Sequence, residues 1–159
     1  MNTASTVSDP KDQHWLSFHI GAQLYAAPLI EVSEVIRAGE LTPVPGAAAD
    51  LLGVRHLRGR IVPVMDGRLR LGLPTLPAAD PAQVRVVMLL YAGQLIGLRV
   101  DAVGELLCSD GEDIAPAPPG RASRSDDPVS GVLPCQGGFV ALLDVCRLCR
   151  LDQGDNRVA

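Results

Sequence analysis

The chain carries most of its apolar pattern twice, and any fold it adopts must place each half of that pattern equivalently. Residues 15–21 match 87–93 at an offset of 72, both being apolar runs that end in a glycine turn. After one residue of slippage the offset becomes 71. It then pairs Leu24 with Leu95, Ala27 with Leu98, Leu29 with Val100, Val32 with Val103, Glu34 with Glu105 and Val35 with Leu106. The Pro-x-Pro segment Leu41-Thr42-Pro43-Val44-Pro45 repeats as Ile114-Ala115-Pro116-Ala117-Pro118 at 73. Finally, Gly53, Val54, Gly59, Ile61, Val62, Val64 and Asp66 match Gly131, Val132, Gly137, Phe139, Val140, Leu142 and Asp144 at 78.

The repeated blocks read as strands over 15–20, 24–29, 32–36, 54–57 and 60–65, with counterparts at 85–91, 95–100, 103–108, 131–134 and 138–142. Short strands punctuated by glycine turns predict a mainly β chain of two small antiparallel barrels. Each copy ends on an aspartate able to cap a helix: Asp66 before residues 68–71 with Gly72 as the stop, and Asp144 before 145–151. The expected organisation is a tail over 1–13, a first copy over about 15–72, a proline-rich linker over about 73–82, a second copy over about 83–152, and a tail over 153–159. The stretch 116–128 reads as a loop.

Composition narrows the function. Of the 159 residues 47% are hydrophobic but only 3% aromatic, so the core is aliphatic and suits strands. With a net charge of −4 and a single lysine, Lys11, the chain has neither a basic groove nor stacking aromatics for nucleic acid. No signal-peptide pattern and no spanning apolar run is visible, which predicts a cytoplasmic protein that does not insert in a membrane.

Enzyme signatures are equally scarce. There is no Gly-x-Ser-x-Gly, no phosphate loop and no paired carboxylate motif. The Cys146-Arg147-Leu148-Cys149 motif resembles a redox C-x-x-C behind a helix cap, but no thioredoxin-like βαβ pattern surrounds it. Core packing on one helix stripe is the expectation for both thiols. Cys108 and Cys135 stand isolated in sequence, and the three histidines form no cluster, so neither metal nor cofactor is expected.

In a duplication, packing positions repeat because both cores need them, so a charge found in one copy only points to function. Arg58 is such a charge; its counterpart is Gln136. The Gly59/Gly137 pair predicts a hairpin turn, with Arg58 at the strand end just before it. Two readings stay open: a solvated turn residue, or a bidentate partner of Glu34 that fixes two strand edges and orients a groove.

These residues resemble the CheW family of bacterial chemotaxis coupling proteins over about 15–151. The match runs through Leu24-Tyr25, Val32-Ser33-Glu34-Val35, Thr42-Pro43-Val44-Pro45, the stretch from Gly53 to Asp66, Gly97-Leu98-Arg99-Val100-Asp101 and Gly131-Val132. Leu57-Arg58-Gly59-Arg60-Ile61-Val62-Pro63-Val64 is its most specific part. The resemblance implies two tandem SH3-like five-stranded barrels around a shared core. It also implies a non-enzymatic scaffold bridging chemoreceptor cytoplasmic tips to a CheA-type histidine kinase, in swimming chemotaxis or in type IV pilus twitching and related arrays, where other CheW-like domains could be neighbours. The implied receptor groove falls on Val32, Gly53, Val54, Gly59, Ile61 and Gly97, with Glu34 and Arg58 beside it, and the implied kinase contacts near Leu41, Thr42 and Val44. The sequence departs from the family pattern at His56, where asparagine is usual, and at Gly67.

Overall fold

The computed structural model describes residues 12–73, 79–110, 113–116, 127–135 and 137–150. The expected tail at 153–159, most of the tail at 1–13, and parts of the linker and the 116–128 loop lie outside them. Ten strands form: β1 (Asp12–Ile20), β2 (Gln23–Pro28), β3 (Val32–Arg37), β4 (Leu51–Leu57), β5 (Arg60–Asp66), β6 (Arg85–Tyr91), β7 (Gln94–Val100), β8 (Ala102–Asp110), β9 (Val129–Cys135) and β10 (Gly138–Leu143). All ten strands read from the repeat are present. β1 starts earlier than expected, because Asp12 and Gln13 pair with Asp110 and Ser109 and so belong to the strand and not to a tail.

The strands make two five-stranded sheets, the two SH3-like halves. Sheet I runs β8-β1-β2-β10-β9 and sheet II runs β3-β6-β7-β5-β4. Neither sheet is one copy of the repeat. β1 and β2 of the first copy join three strands of the second, and β6 and β7 of the second join three of the first. The exchange needs one parallel pairing in each otherwise antiparallel sheet, β2 with β10 and β5 with β7. These pairings are equivalent: Ala26 lies opposite Leu142, and Gly97 opposite Val64, positions that the repeat matches.

The exchange has an energetic reason. β6 buries both faces: Val86 and Met88 pack in a small cluster inside sheet II with Val62 and Val64, while Val87 and Leu89 face a larger cluster shared between the sheets. β10 does the same in sheet I, with Val140 and Leu142 beside Trp15, Ala26 and Leu133, and Ala141 and Leu143 turned to the shared core. Phe18, Ile20, Leu98 and Val100 complete that shared core. Each fully buried aliphatic side chain is worth roughly 1.5–3 kcal/mol. Strands with two buried faces lose the period-2 alternation of a half-buried strand, which is why β6 reads as a continuous apolar run.

The same hydrogen-bond pairs recur in both halves. Thr42 and Val54 exchange two backbone bonds of 2.9 Å, and Ala115 and Val132 exchange bonds of 2.9 and 2.8 Å, so the connection before the fourth strand of each copy lies against that strand. Both predicted helix caps form. Asp66 accepts from the Arg68 N–H at the start of α1 (Gly67–Arg70), and Asp144 accepts from the Arg147 N–H at the start of α2 (Val145–Cys149). α1 closes with the paired bonds from Gly72 N–H to Leu69 C=O and from Leu73 N–H to Arg68 C=O, a Schellman pattern.

Arg70 helps to tie the copies together. Arg70 aligns with Leu148 in the repeat. Its Nε donates to the Leu148 carbonyl at 2.6 Å and its Nη2 to the Arg147 and Arg150 carbonyls at 2.8 and 2.7 Å, while Nη1 reaches Asp50. A guanidinium from the first copy thus satisfies the free carbonyls at the end of α2. Replacing it leaves several half-buried carbonyls and Asp50 without their donor. Arg70→Ala is expected to lower unfolding free energy by about 2 kcal/mol, measured by urea titration followed by circular dichroism; a loss below about 0.5 kcal/mol would show that water replaces the guanidinium freely.

Candidate functional site

The site begins with a turn. β4 and β5 are joined by Arg58 and Gly59, with φ of 50° and 79°, the two-residue pattern of a type I′ hairpin. The expectation put Arg58 at the strand end; it sits instead inside the turn. A non-glycine residue with left-handed backbone costs about 1–2 kcal/mol, and an arginine gains nothing locally in return.

The return comes across the seam. β3 and β4 are the two edges of sheet II. A register shift between Val32 and Glu34 bulges β3 at Ser33, which re-aims the strand locally. Arg58 Nη1 donates to Glu34 Oε2 at 2.5 Å and Nη2 to Oε1 at 2.7 Å, so two parallel bonds link one sheet edge to the hairpin tip beyond the other. Of the two readings of Arg58, the bidentate pair is the one that forms. The guanidinium stays 68% exposed while Glu34 is mostly covered. Hydrogen bonding from Arg58 holds the Glu34 carboxyl below its ordinary range and raises the Arg58 guanidinium.

The other residues expected here separate into surface and interior. Ile61 is 63% exposed and Gly59 lies open beside it, whereas Val32 and Val54 are half-buried. Gly53 and Gly97 are buried. At both positions the chain passes close to itself. A Cβ at Gly53 would stand 2.5 Å from the Thr42 carbonyl oxygen, and one at Gly97 would stand 2.7 Å from Val86 Cγ1. Of the residues placed near a kinase contact, Leu41 packs against the sheet II cluster, Thr42 carries the bridge to Val54, and Val44 is exposed.

Two neighbours were missed. Val35, the next residue on β3, is an exposed apolar side chain. Arg55 donates through Nη1 to the Arg37 and Ala38 carbonyls, fixing the segment that leads from β3 toward Leu41. Arg55 aligns with Leu133, so it too is a charge present in one copy, the same signal that singled out Arg58. Sheet I presents apolar surface at the matching positions: Leu106 and Phe139, counterparts of Val35 and Ile61, are 59% and 60% exposed. Repetition at these two positions therefore marks surface, not core.

The cysteine motif divides. Cys149 is buried, and desolvation pushes its thiol up to about 12, the opposite of an activated nucleophile. Cys146 is exposed and so is not the core residue expected from the helix stripe. With Asp144 capping at residue 147, position 146 faces away from the packed side of a five-residue helix. Among the described residues no group of three or more His, Cys, Asp or Glu side chains is arranged to hold a metal, and no helix is long and apolar enough to cross a membrane.

Two five-stranded sheets joined by strand exchange, with a bidentate ion pair at the hairpin of one of them, define a duplicated β fold. The CheW-like domain family model matches residues 14–153. The chemotaxis protein CheW of Rhizobium meliloti (strain 1021) is 31% identical over 131 residues, covering 82% of this chain and 83% of that protein. Protein PilI of Pseudomonas aeruginosa is 34% identical over 93 residues, covering 57% and 51%. The crystal structure of the scaffolding protein TtCheW from Thermoanaerobacter tengcongensis superposes with a TM-score of 0.78 at 26% identity, covering 88% of this chain and 94% of that one. The chain belongs to the CheW-like family.

Two measurements follow from the geometry. A carboxyl held down by its partner is more favourable in the folded state above the unfolded glutamate pKa, and that contribution disappears as pH falls through the depressed folded value. The Glu34 carboxyl should therefore titrate below the ordinary value of about 4.3 in carbon-detected NMR, and return to it in Arg58→Ala. An unchanged titration would mean that the pair does not persist in solution. For the cysteines, Cys149→Ser should cost about 1–3 kcal/mol, because it buries a hydroxyl in an apolar site, while Cys146→Ser should leave the urea midpoint nearly unchanged.

Proposed function

We propose that this protein is a non-enzymatic adaptor that couples the cytoplasmic tips of chemoreceptors to a CheA-type histidine kinase, working in the cytoplasm beneath receptor arrays. The observation that carries this reading is the bidentate Glu34–Arg58 pair across the seam of sheet II. It is built at the expense of a strained turn, is absent from the second copy by composition, and has the exposed Ile61 close by in the same hairpin. A partner helix laid over the half-buried Val32 and Val54 would bury Ile61 and read the ion pair at its rim.

An adaptor needs a second face, and Leu106 with Phe139 on sheet I supplies an apolar surface at the equivalent place. One face for a receptor and one for a kinase, or for another CheW-like domain, is the division of labour that the duplication supports. Kinase contacts at Leu41, Thr42 and Val44 form part of the proposal, with Val44 the exposed member. A twitching or other chemosensory array is a second reading of the same adaptor chemistry.

Affinity capture from native lysate tests the proposal. Tagged wild-type protein should retain a CheA-type kinase together with methyl-accepting receptors. Arg58→Ala should lose at least one of them by roughly tenfold, the weight of about 1.4 kcal/mol, while its melting curve stays cooperative. Retention of both partners at wild-type levels by Arg58→Ala would remove the ion pair from the docking surface. Capture of neither by the wild type would remove the adaptor reading.

A further inference from the structure

Cys108 and Cys135 are distant in sequence, yet the fold brings both onto one cavity of about 390 Å³, together with Leu107, Asp113, Leu133 and Pro134. Cys108 lies on β8 and Cys135 at the end of β9, the two edges of sheet I, between which no strand ladder runs. Leu107 and Leu133, the neighbours of the two thiols, meet in the cluster inside sheet I, so the two edges are already drawn together there. Both thiols are free and exposed.

The corresponding seam of sheet II is latched by Glu34 and Arg58. In sheet I the glutamate is retained as Glu105, but position 136 is glutamine and offers no cation. We propose that Cys108 and Cys135 are a redox-responsive pair, which a low-molecular-weight disulfide oxidises to an intramolecular disulfide across the sheet I seam. A thiolate of one cysteine attacks a sulfur of the small disulfide. That S–S bond breaks, one small thiol leaves, and a mixed disulfide remains on the protein. The second cysteine then attacks the protein sulfur of the mixed disulfide and expels the second small thiol. Two electrons and two protons pass from the cysteines to the oxidant. No ladder joins β8 to β9, so no β8–β9 hydrogen bond has to be given up for the Cα separation of about 4.4–6.8 Å that a disulfide takes. Cys149 is excluded by burial and by its raised thiol pKa, and Cys146 has no thiol neighbour on an open seam.

The test uses the full chain treated with oxidised glutathione. After denaturation, titration with Ellman's reagent should show the four thiols reduced to two, and peptide mapping should find Cys108 joined to Cys135. The unfolding midpoint of the oxidised protein should rise and return with dithiothreitol. Cys108→Ser and Cys135→Ser should each abolish the linked peptide, and Cys146→Ser should leave it intact. Separate glutathione adducts on Cys108 and Cys135 with no linked peptide would overturn the proposal, as would a two-thiol loss that survives in Cys135→Ser. Should a serine variant misfold, the wild-type peptide map still decides between these outcomes.

Discussion

The parallel pairings of β2 with β10 and β5 with β7 are the constraint on which the rest of the structure depends. They stitch a hairpin from each copy into the sheet of the other, so the chain forms one shared core with a smaller cluster inside each sheet. Several exposed apolar side chains sit at strand edges and hairpin ends: Val35 on the edge strand β3, Ile61 beside the β4–β5 turn, Leu106 on the edge strand β8, and Phe139 near the start of β10.

The closure of sheet II is carried by local strain and ionic contact in opposition. Left-handed backbone at Arg58 is unfavourable, and an exposed ion pair is individually weak. Two parallel bonds to a single carboxylate add geometric definition that a lone contact lacks. The pair thus sets where the hairpin tip stands relative to β3 more than it adds to stability.

Much of this was legible in the sequence, for identifiable reasons. The strands could be read because turn glycines and proline segments recur at matching offsets, and the caps because Asp66 and Asp144 stand at equivalent strand ends. The exchange of strands could not be read, since a repeat records which segments are alike and is silent on which of them pair. Arg58 was found by comparing the copies. The same comparison applied to Arg55 and Arg70 would have found a loop tether and an inter-copy cap, but the carbonyls that Arg37 and the α2 end offer them are backbone groups that no side-chain pattern announces. Cys108 and Cys135 looked isolated because only the curling of sheet I brings its two edges to one cavity.

The strand exchange also fixes when the molecule can first exist. During synthesis the first copy leaves the ribosome as the β1–β2 and β4–β5 hairpins with β3 between them, and β1, β2, β3 and β5 each still lack a second-copy strand that they pair with. Sheet II becomes complete only after β6 and β7 emerge, and sheet I waits for β10, close to the end of the described chain. The nascent first half is therefore an aliphatic segment without a core of its own, exposed for as long as translation of the second half takes. A duplication that looks like two independent units in sequence behaves, at birth, as a single indivisible one.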